Sequence, residues 1–226
     1  MKSIFIVGLP KSGTTLLWTL FRNIPEVTTF YEPFAFEFRL QLESPDEIIL
    51  PAGPQDHHFF VNSYFDEYLE YCDLKELQKH YCLADNKFDR IKSYIDYLIK
   101  VAPKLPTFKF VRLNGRLHEL KAAYPDSYLI YIHREFDYHL ASLERLGLKD
   151  AIINQYKLIN QIELTDVSFA SLYNRTLIEG KTFSNYIIKY DDLVTDSRKE
   201  LFQLLEPLGF TKHVLELLPL IVNTKQ

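Results

Sequence analysis

The sequence predicts an α/β fold in which a parallel β-sheet is flanked by helices on both faces. The first observation is an alternation along the chain: segments rich in apolar, β-branched and aromatic residues are followed by segments whose apolar residues recur every three or four positions. Strands that alternate with helices form parallel sheets joined by right-handed crossovers. The second observation is the run at 127–132, which is almost entirely apolar, as expected for a strand covered on both faces.

Residues 4–21 begin this alternation and contain its most informative turn. The apolar run Ile4–Val7 predicts a buried strand, and a turn with glycine at both ends follows it. The helix after the turn is predicted from apolar residues at helical spacing, namely Leu16, Leu17, Leu20 and Phe21. A turn of this kind aims several backbone N–H groups and the positive end of the helix dipole at one point. The segment from Gly8 to Gly13 is therefore a predicted anion site.

The glycine spacing is that of a P-loop, the phosphate-binding loop of nucleotide-binding proteins, but the lysine stands elsewhere. In a nucleoside-triphosphate loop, Lys follows the second glycine directly and Ser or Thr comes next. Thr14 and Thr15 occupy those positions here, and the only lysine of the loop is Lys11, three positions earlier. We interpret the turn as a P-loop-type anion site, and an ordinary strand-to-helix turn is the alternative.

The rest of the chain predicts further strands and helices around a long interruption. A second strand at 27–31 is followed by a stretch from Pro33 to Pro106 that breaks the alternation, and we predict a helical insertion at about 35–105. Two amphipathic helices are expected in it, around 64–72 and 88–99. The elements predicted after the insertion are, in order, a strand at 108–113, a helix at 117–124, the strand at 127–132, a helix closed by Gly147, weaker helical signals at 150–180 and a last strand at 185–190.

Composition limits the class of protein. A chain of 226 residues is long enough for a sizeable core, and we expect a single domain over residues 1–226. The formal net charge of −4 predicts no broad basic surface and no nucleic-acid partner. No stretch reaches the ~18 apolar residues of a membrane span, and no signal peptide is recognisable. Cys72 and Cys82, the only cysteines, predict neither a disulfide framework nor a zinc site, which favours a soluble, cytoplasmic protein.

The glycine turn resembles the 5′-phosphosulfate loop of sulfotransferases, which use 3′-phosphoadenosine 5′-phosphosulfate (PAPS). In that family the loop reads Pro, Lys or Arg, Ser, Gly and then two residues that are each Thr or Ser. Every position is matched in this chain, by Pro10, Lys11, Ser12, Gly13, Thr14 and Thr15. The resemblance implies that these residues bind PAPS and that Lys11 also acts on the leaving group of the reaction.

A second match concerns the 3′-phosphate of PAPS. Sulfotransferases bind it with an Arg at a strand end and a Ser eight residues later, and Arg134 and Ser142 stand at those positions. The family often has Asn-Pro after the Arg, where this chain has Glu135 and Phe136. Without the resemblance, a surface ion pair for Arg134 and a packed serine would be the simpler interpretation. The segment Tyr190–Leu193 resembles the one that closes the last strand in many family members, and we expect it to be structural.

The acceptor side is predicted from the end of the second strand. The segment around Glu32 and Pro33 resembles the one in carbohydrate sulfotransferases whose Glu is thought to be the general base, and Pro33 is expected to hold Glu32 in an extended backbone. Lys109 and Arg112 resemble a basic pattern that contacts the sulfate or an acidic acceptor. The alternatives are that Glu32 only ends a strand, that the two cations are solvated, and that His118 is the base.

The resemblance implies a sulfotransferase that moves a sulfuryl group from PAPS to a hydroxyl or amine of a small-molecule or glycan acceptor by in-line displacement. The product nucleotide would be 3′,5′-adenosine bisphosphate, and no metal is implied. The first alternative is a P-loop kinase or NTPase, which the residues disfavour because Thr14 stands where its lysine is required. The second is a nucleotide-binding homologue without catalysis. The sequence leaves the acceptor and the oligomeric state open.

Overall fold

The computed structural model describes residues 1–33, 88–160 and 167–222. Within these ranges the sheet has five strands: β1 (Ile4–Val7), β2 (Val27–Tyr31), β3 (Leu105–Phe110), β4 (Tyr128–His133) and β5 (Tyr186–Lys189). They pair in the order β2-β3-β1-β4-β5, and every pairing is parallel. The predicted α/β fold with a parallel sheet is confirmed.

The helices cover both faces of the sheet. In the described residues they are α1 (Thr14–Arg22), α2 (Asp89–Val101), α3 (Leu117–Ala123), α4 (Phe136–Arg145), α5 (Lys149–Ile159), α6 (Phe169–Phe183), α7 (Tyr190–Thr195), α8 (Ser197–Leu205) and α9 (Val214–Val222). Alternate residues of a strand point to opposite faces. Phe5 and Val7 of β1 pack in one core with α2 and α3, while Ile4 and Ile6 pack in another with α1, α8 and α9.

Part of the predicted insertion is a helix that belongs to the regular strand-helix alternation of the fold. α2 lies between β2 and β3 in the chain, and these two strands are parallel neighbours, so α2 is part of the crossover connection between them. Its apolar face, with Ile91, Ile95 and Leu98, is buried in the core. The predicted helix at 64–72 and both cysteines lie outside the described residues.

The predicted third strand was wrong at both ends. β3 runs from Leu105 to Phe110 rather than over 108–113, because Pro106 lies within it and pairs with Thr28 of β2. Proline is tolerated near the start of a strand, where a missing N–H costs little. After Phe110 the chain turns, and the side-chain amide of Asn114 donates to the carbonyl of Val111 at 2.9 Å.

Candidate active site

The glycine turn after β1 has the backbone conformation of an anion-binding loop. Lys11 and Gly13 have φ angles of 66° and 106°, both in the left-handed region, and the N–H of Ser12 donates to the carbonyl of Leu9 at 3.1 Å. Left-handed residues next to right-handed ones turn successive N–H groups toward one side. α1 begins directly after Gly13, so its N-terminus opens on the same point.

The two glycines of the loop are required by space as well as by conformation. A Cβ on Gly8 would lie 2.4 Å from the carbonyl oxygen of Ile132 in β4, and a Cβ on Gly13 would lie 2.4 Å from the ring of Tyr190. The hydroxyl of Ser12 is buried and has no hydrogen-bond partner among the described residues. An unpaired buried hydroxyl is costly, and an anion held in the loop would pair with it. The loop therefore fits a bound phosphate or sulfate group.

Arg134 lies close to the loop, with one aromatic ring between them. It directly follows β4, and its guanidinium carbon is 5.0 Å from the centre of the Tyr190 ring, which also packs against Gly13. The nearest carboxylate oxygen found for its Nε is that of Asp191, at 4.0 Å. That Nε is buried and has no hydrogen-bond partner in the described part of the chain. The structure thus places a cation with an unpaired donor next to the anion loop.

α4, which carries the half-buried Ser142, is fixed against the loop by His139. Nε2 of His139 is 2.7 Å from the carbonyl oxygen of Pro10. A carbonyl only accepts, so Nε2 carries the proton. Burial lowers the pKa of His139, which favours the neutral ring. Our sequence analysis missed His139, although it stands on the core-facing side of α4, three residues after Phe136 and four before Leu143.

Asn114 holds the loop from the other side and was also missed. Its side-chain amide donates to the carbonyl of Gly8 at 3.1 Å as well as to that of Val111. The side chain of Asn160 in turn donates to the backbone carbonyl of Asn114 at 3.0 Å. Asn114 is buried, and the only signal in the sequence is a polar residue soon after a strand end.

Glu32 is a buried, paired carboxylate. Its Oε1 is 3.0 Å from Nζ of Lys109, its Oε2 is 3.5 Å from Nη1 of Arg112, and the N–H of Val111 donates to Oε2 at 3.2 Å. The expected extended backbone was wrong, because Glu32 has a φ of 47°. These contacts with β3 and the residues after it turn the side chain back toward the sheet and offset the strain of that conformation.

Glu32, Lys109 and Arg112, hereafter the carboxylate cluster, lie at the ends of β2 and β3. β3 separates β2, which ends just before Glu32, from β1 in the sheet. Tyr31 of β2 contacts the start of α1, since its hydroxyl is 3.5 Å from the hydroxyl of Thr15. Nζ of Lys109 lies 3.8 Å from the centre of the Tyr31 ring. The two cations are thus engaged within the protein, and Lys109 is only 3% exposed rather than solvated. His118 lies on α3 with its ring 6.1 Å from that of Phe183.

A small cleft opens beside the loop, at the end of β3. Its walls are largely apolar, and it also carries an arginine and a glutamine; the residues that line it include Leu9, Pro10, Val111, Arg112, Gln155 and Tyr156. The cleft thus connects the loop with the carboxylate cluster through Arg112. It lies at the carboxyl ends of the strands, where α/β sheets bind their ligands.

The sequence of the chain matches a known family. Residues 3–213 match the family model described as "Sulfotransferase family". The chain belongs to the sulfotransferase family. Among solved structures, it is similar to the sulfotransferase domain from the curacin biosynthetic pathway, with 19% identity, a TM-score of 0.52, and coverage of 92% of this chain and 73% of that chain. It is also similar to sulfotransferase STF1 from Mycobacterium tuberculosis H37Rv, with 15% identity, a TM-score of 0.51, and coverage of 95% and 70%.

No match was found among the curated protein sequences. At identities this low the solved structures support the fold alone. None of the described helices of this sulfotransferase is long and apolar enough to cross a membrane. The described residues also contain no group of three or more His, Cys, Asp or Glu side chains that could hold a metal ion.

A second buried carboxylate supports the turn that carries Asn114. Glu179 of α6 accepts hydrogen bonds from the N–H groups of Gly115 and Leu117, both at 2.6 Å, and so caps the N-terminus of α3. Burial raises the pKa of Glu179 to about 7, although the two N–H donors act in the opposite direction. The folded sulfotransferase therefore takes up a proton here at a pH at which the unfolded chain remains ionised.

We expect this carboxyl group to make stability depend on pH. Its pKa rises from the ordinary 4.5 to about 7 on folding, so the folded state binds more protons between these values, and the free energy of unfolding falls as pH rises through this interval. Glu179→Gln removes that component. Urea unfolding at about pH 5 and about pH 8 should show the wild type losing stability relative to the variant at the higher pH.

Glu135→Gln is the matched control. A hydrogen bond from Lys189 lowers the pKa of Glu135, so its contribution is lost only as pH falls below the ordinary range, and it stays nearly constant over the same interval. A stability difference between wild type and Glu179→Gln that did not change with pH would contradict the raised pKa.

Proposed function

We propose that this sulfotransferase moves the sulfuryl group of PAPS to a hydroxyl or amine of a small-molecule or glycan acceptor. The observation that carries the proposal is that the anion loop and Arg134 lie against the same ring, that of Tyr190. A nucleotide with a charged group at its 5′ position and a second at its 3′ position requires two such sites. PAPS and its product 3′,5′-adenosine bisphosphate both carry that pair of groups.

In this proposal, one set of residues binds the 5′ end of the nucleotide and another set binds its 3′-phosphate. The backbone of the loop and the hydroxyl of Ser12 would hold the 5′-phosphosulfate, with Pro10, Gly13, Thr14 and Thr15 completing the loop. Arg134 and Ser142 would hold the 3′-phosphate. The unpaired Nε of Arg134 and the unpaired hydroxyl of Ser12 support this division, because each is a buried polar group that lacks a partner within the described residues.

PAPS supplies the sulfuryl group, and two side chains would serve its transfer. Glu32 would accept the proton of the acceptor hydroxyl as the acceptor oxygen bonds to sulfur. Lys11 would stabilise the negative charge that develops on the 5′-phosphate oxygen as the bond from that oxygen to sulfur breaks. Lys11 is exposed at the mouth of the loop, which favours contact with a ligand. Lys109 and Arg112 hold the carboxylate of Glu32 in place.

The cleft beside the loop is the proposed acceptor site. It adjoins Pro10, so an acceptor seated there would approach the sulfur from the side of β3, where the carboxylate cluster lies. Its apolar walls suit the rings of sugars and phenols alike, and Arg112 with Gln155 supplies polar contacts. Lys109 would act on the acceptor through Glu32 rather than by direct contact, since it is buried against that carboxylate.

We expect the protein to bind a nucleotide with phosphates at both the 3′ and the 5′ position much more tightly than one that lacks the 3′-phosphate. Calorimetry should show that 3′,5′-adenosine bisphosphate binds at least about tenfold more tightly than AMP or ATP, because charge-assisted contacts to a 3′-phosphate contribute roughly 1.5–3 kcal/mol. Arg134→Gln should remove most of that preference. Arg145→Gln, at the exposed C-terminal end of α4, is the control and should keep this preference. Equal affinity of the wild type for AMP would contradict the assignment of Arg134 and Ser142.

Lys11→Ala should lower turnover by about 10²-fold or more, with a smaller effect on the affinity for 3′,5′-adenosine bisphosphate. The reason is that the charge it stabilises develops only in the transition state. Transfer is measured with radiolabelled PAPS and a panel of sugars, phenols and lipids, which also identifies the acceptor class. Lys11→Arg retains the charge and should recover part of the rate. Normal turnover of Lys11→Ala would remove Lys11 from the mechanism, and tight binding without transfer in the wild type would indicate an inactive homologue.

Glu32→Gln tests the general base. If Glu32 takes the acceptor proton, single-turnover transfer should fall by about 10²- to 10⁴-fold while the affinity for 3′,5′-adenosine bisphosphate stays within a few-fold. A supporting role predicts another pattern: a lower melting temperature and weaker nucleotide binding, with transfer per folded molecule little changed, because two cations would lose their buried partner. Glu119→Gln, which breaks an ion pair on α3, is the control for folding.

A further inference from the structure

Three consecutive carbonyl groups of the anion loop are held by hydrogen bonds. The carbonyl of Gly8 accepts from the side-chain amide of Asn114 at 3.1 Å, and that of Pro10 accepts from Nε2 of His139 at 2.7 Å. The carbonyl of Leu9, between them, accepts from a backbone N–H within the loop, that of Ser12. The outer two carbonyls are thus held by side chains from outside the loop, on the β3 side and on α4.

The direction of these carbonyls sets the direction of the N–H groups that bind an anion. The peptide unit is planar and trans, so a C=O and the N–H that follows it point in opposite directions. With the Pro10 carbonyl held toward α4, the N–H of Lys11 is directed the other way. The Gly8 carbonyl is held toward Asn114, so the N–H of Leu9 is directed away from Asn114. A carbonyl turned the other way would present its negative oxygen to the anion.

Both donors are themselves fixed. Asn114 and His139 are 3% and 1% exposed, and Asn114 donates a further hydrogen bond to the carbonyl of Val111. The ring of His139 packs edge-on against Phe169 of α6 at a centroid distance of 5.4 Å. Side chains that are locked by packing and by further hydrogen bonds hold a site more accurately than mobile ones.

We propose that Asn114 and His139 are positioning residues that hold the anion loop from opposite sides and set its affinity for the 5′-phosphate of the nucleotide. Neither residue needs to touch the ligand. The inference rests on the proposed function, in that it takes the loop to be the 5′ site. It predicts a result that general damage to the fold would not give: only the contribution of the 5′-phosphate to binding affinity should be lost.

Two nucleotides separate that contribution from the rest of binding. Adenosine 3′-monophosphate uses the Arg134 site alone, whereas 3′,5′-adenosine bisphosphate uses both sites, so the ratio of their dissociation constants measures the gain from the 5′-phosphate. Asn114→Leu and His139→Leu remove the donors with little change in volume. In each we expect this gain to fall by about tenfold, the effect of losing one hydrogen bond of about 1.4 kcal/mol. Affinity for the 3′-monophosphate should stay within about threefold of the wild type.

Further variants keep the test decisive. His139→Gln retains a donor at similar reach and should recover most of the gain lost in His139→Leu. Asn114→Asp is isosteric, and its ionised carboxylate cannot donate to the Gly8 carbonyl, so it replaces Asn114→Leu if that variant unfolds below the assay temperature. Arg134→Gln is the mirror control, since it should weaken both nucleotides and leave the gain unchanged.

The outcomes are distinct. A 5′-phosphate gain that persists in the Asn114 and His139→Leu variants overturns the inference, and so does an equal loss of affinity for both nucleotides. A His139→Gln variant as weak as His139→Leu overturns the role of His139. If the wild type itself shows no gain from the 5′-phosphate, the loop is not the anion site and the proposed function fails instead.

Discussion

The parallel pairing of β1 with a strand on each side is the constraint on which the rest of the site depends. In the register, Val7 stands opposite Phe110 of β3 and opposite Tyr131 of β4. All three strands therefore end at the same edge, and the residues that follow them meet there: the loop after β1, Asn114 after β3 and Arg134 after β4. A parallel sheet brings the ends of strands together that are far apart in the sequence.

This edge holds two kinds of polar group, and their environments differ. The carboxylate cluster is buried and ion-paired within the protein, with two cations and a backbone N–H around Glu32. Removing one partner from such a buried pair costs about 3–5 kcal/mol, so the cluster also stabilises the end of β2 against β3. Arg134 and Ser12, in contrast, retain buried donors without a partner in the described residues. Groups of the second kind are the ones that a ligand would satisfy.

The loop contains a strained residue, and its surroundings support it. Lys11 adopts a left-handed conformation that is unfavourable for any residue with a side chain, and it directly follows a segment whose Gly8 and Pro10 carbonyls are held by buried donors. Strain of this kind persists where neighbouring contacts determine the conformation. Tyr190 adds a steric contribution from the start of α7, since its ring fills the space in which a Cβ on Gly13 would lie.

The sequence by itself determined the fold class, the position of the anion loop, and most strands and helices, because these depend on local patterns: apolar periodicity, glycine spacing and turns. The assignment of Arg134 to the site came from the resemblance to sulfotransferases, since its place at a strand end is by itself explained by a surface ion pair. The sequence failed where the outcome depended on packing between distant segments. The limits of β3, the φ of Glu32 and the burial of Lys109 are set by strand order and by cross-strand contacts. Asn114 and His139 have no distinguishing local pattern, since a hydrogen bond to a loop carbonyl 106 or 129 residues away is decided only when the chain has folded.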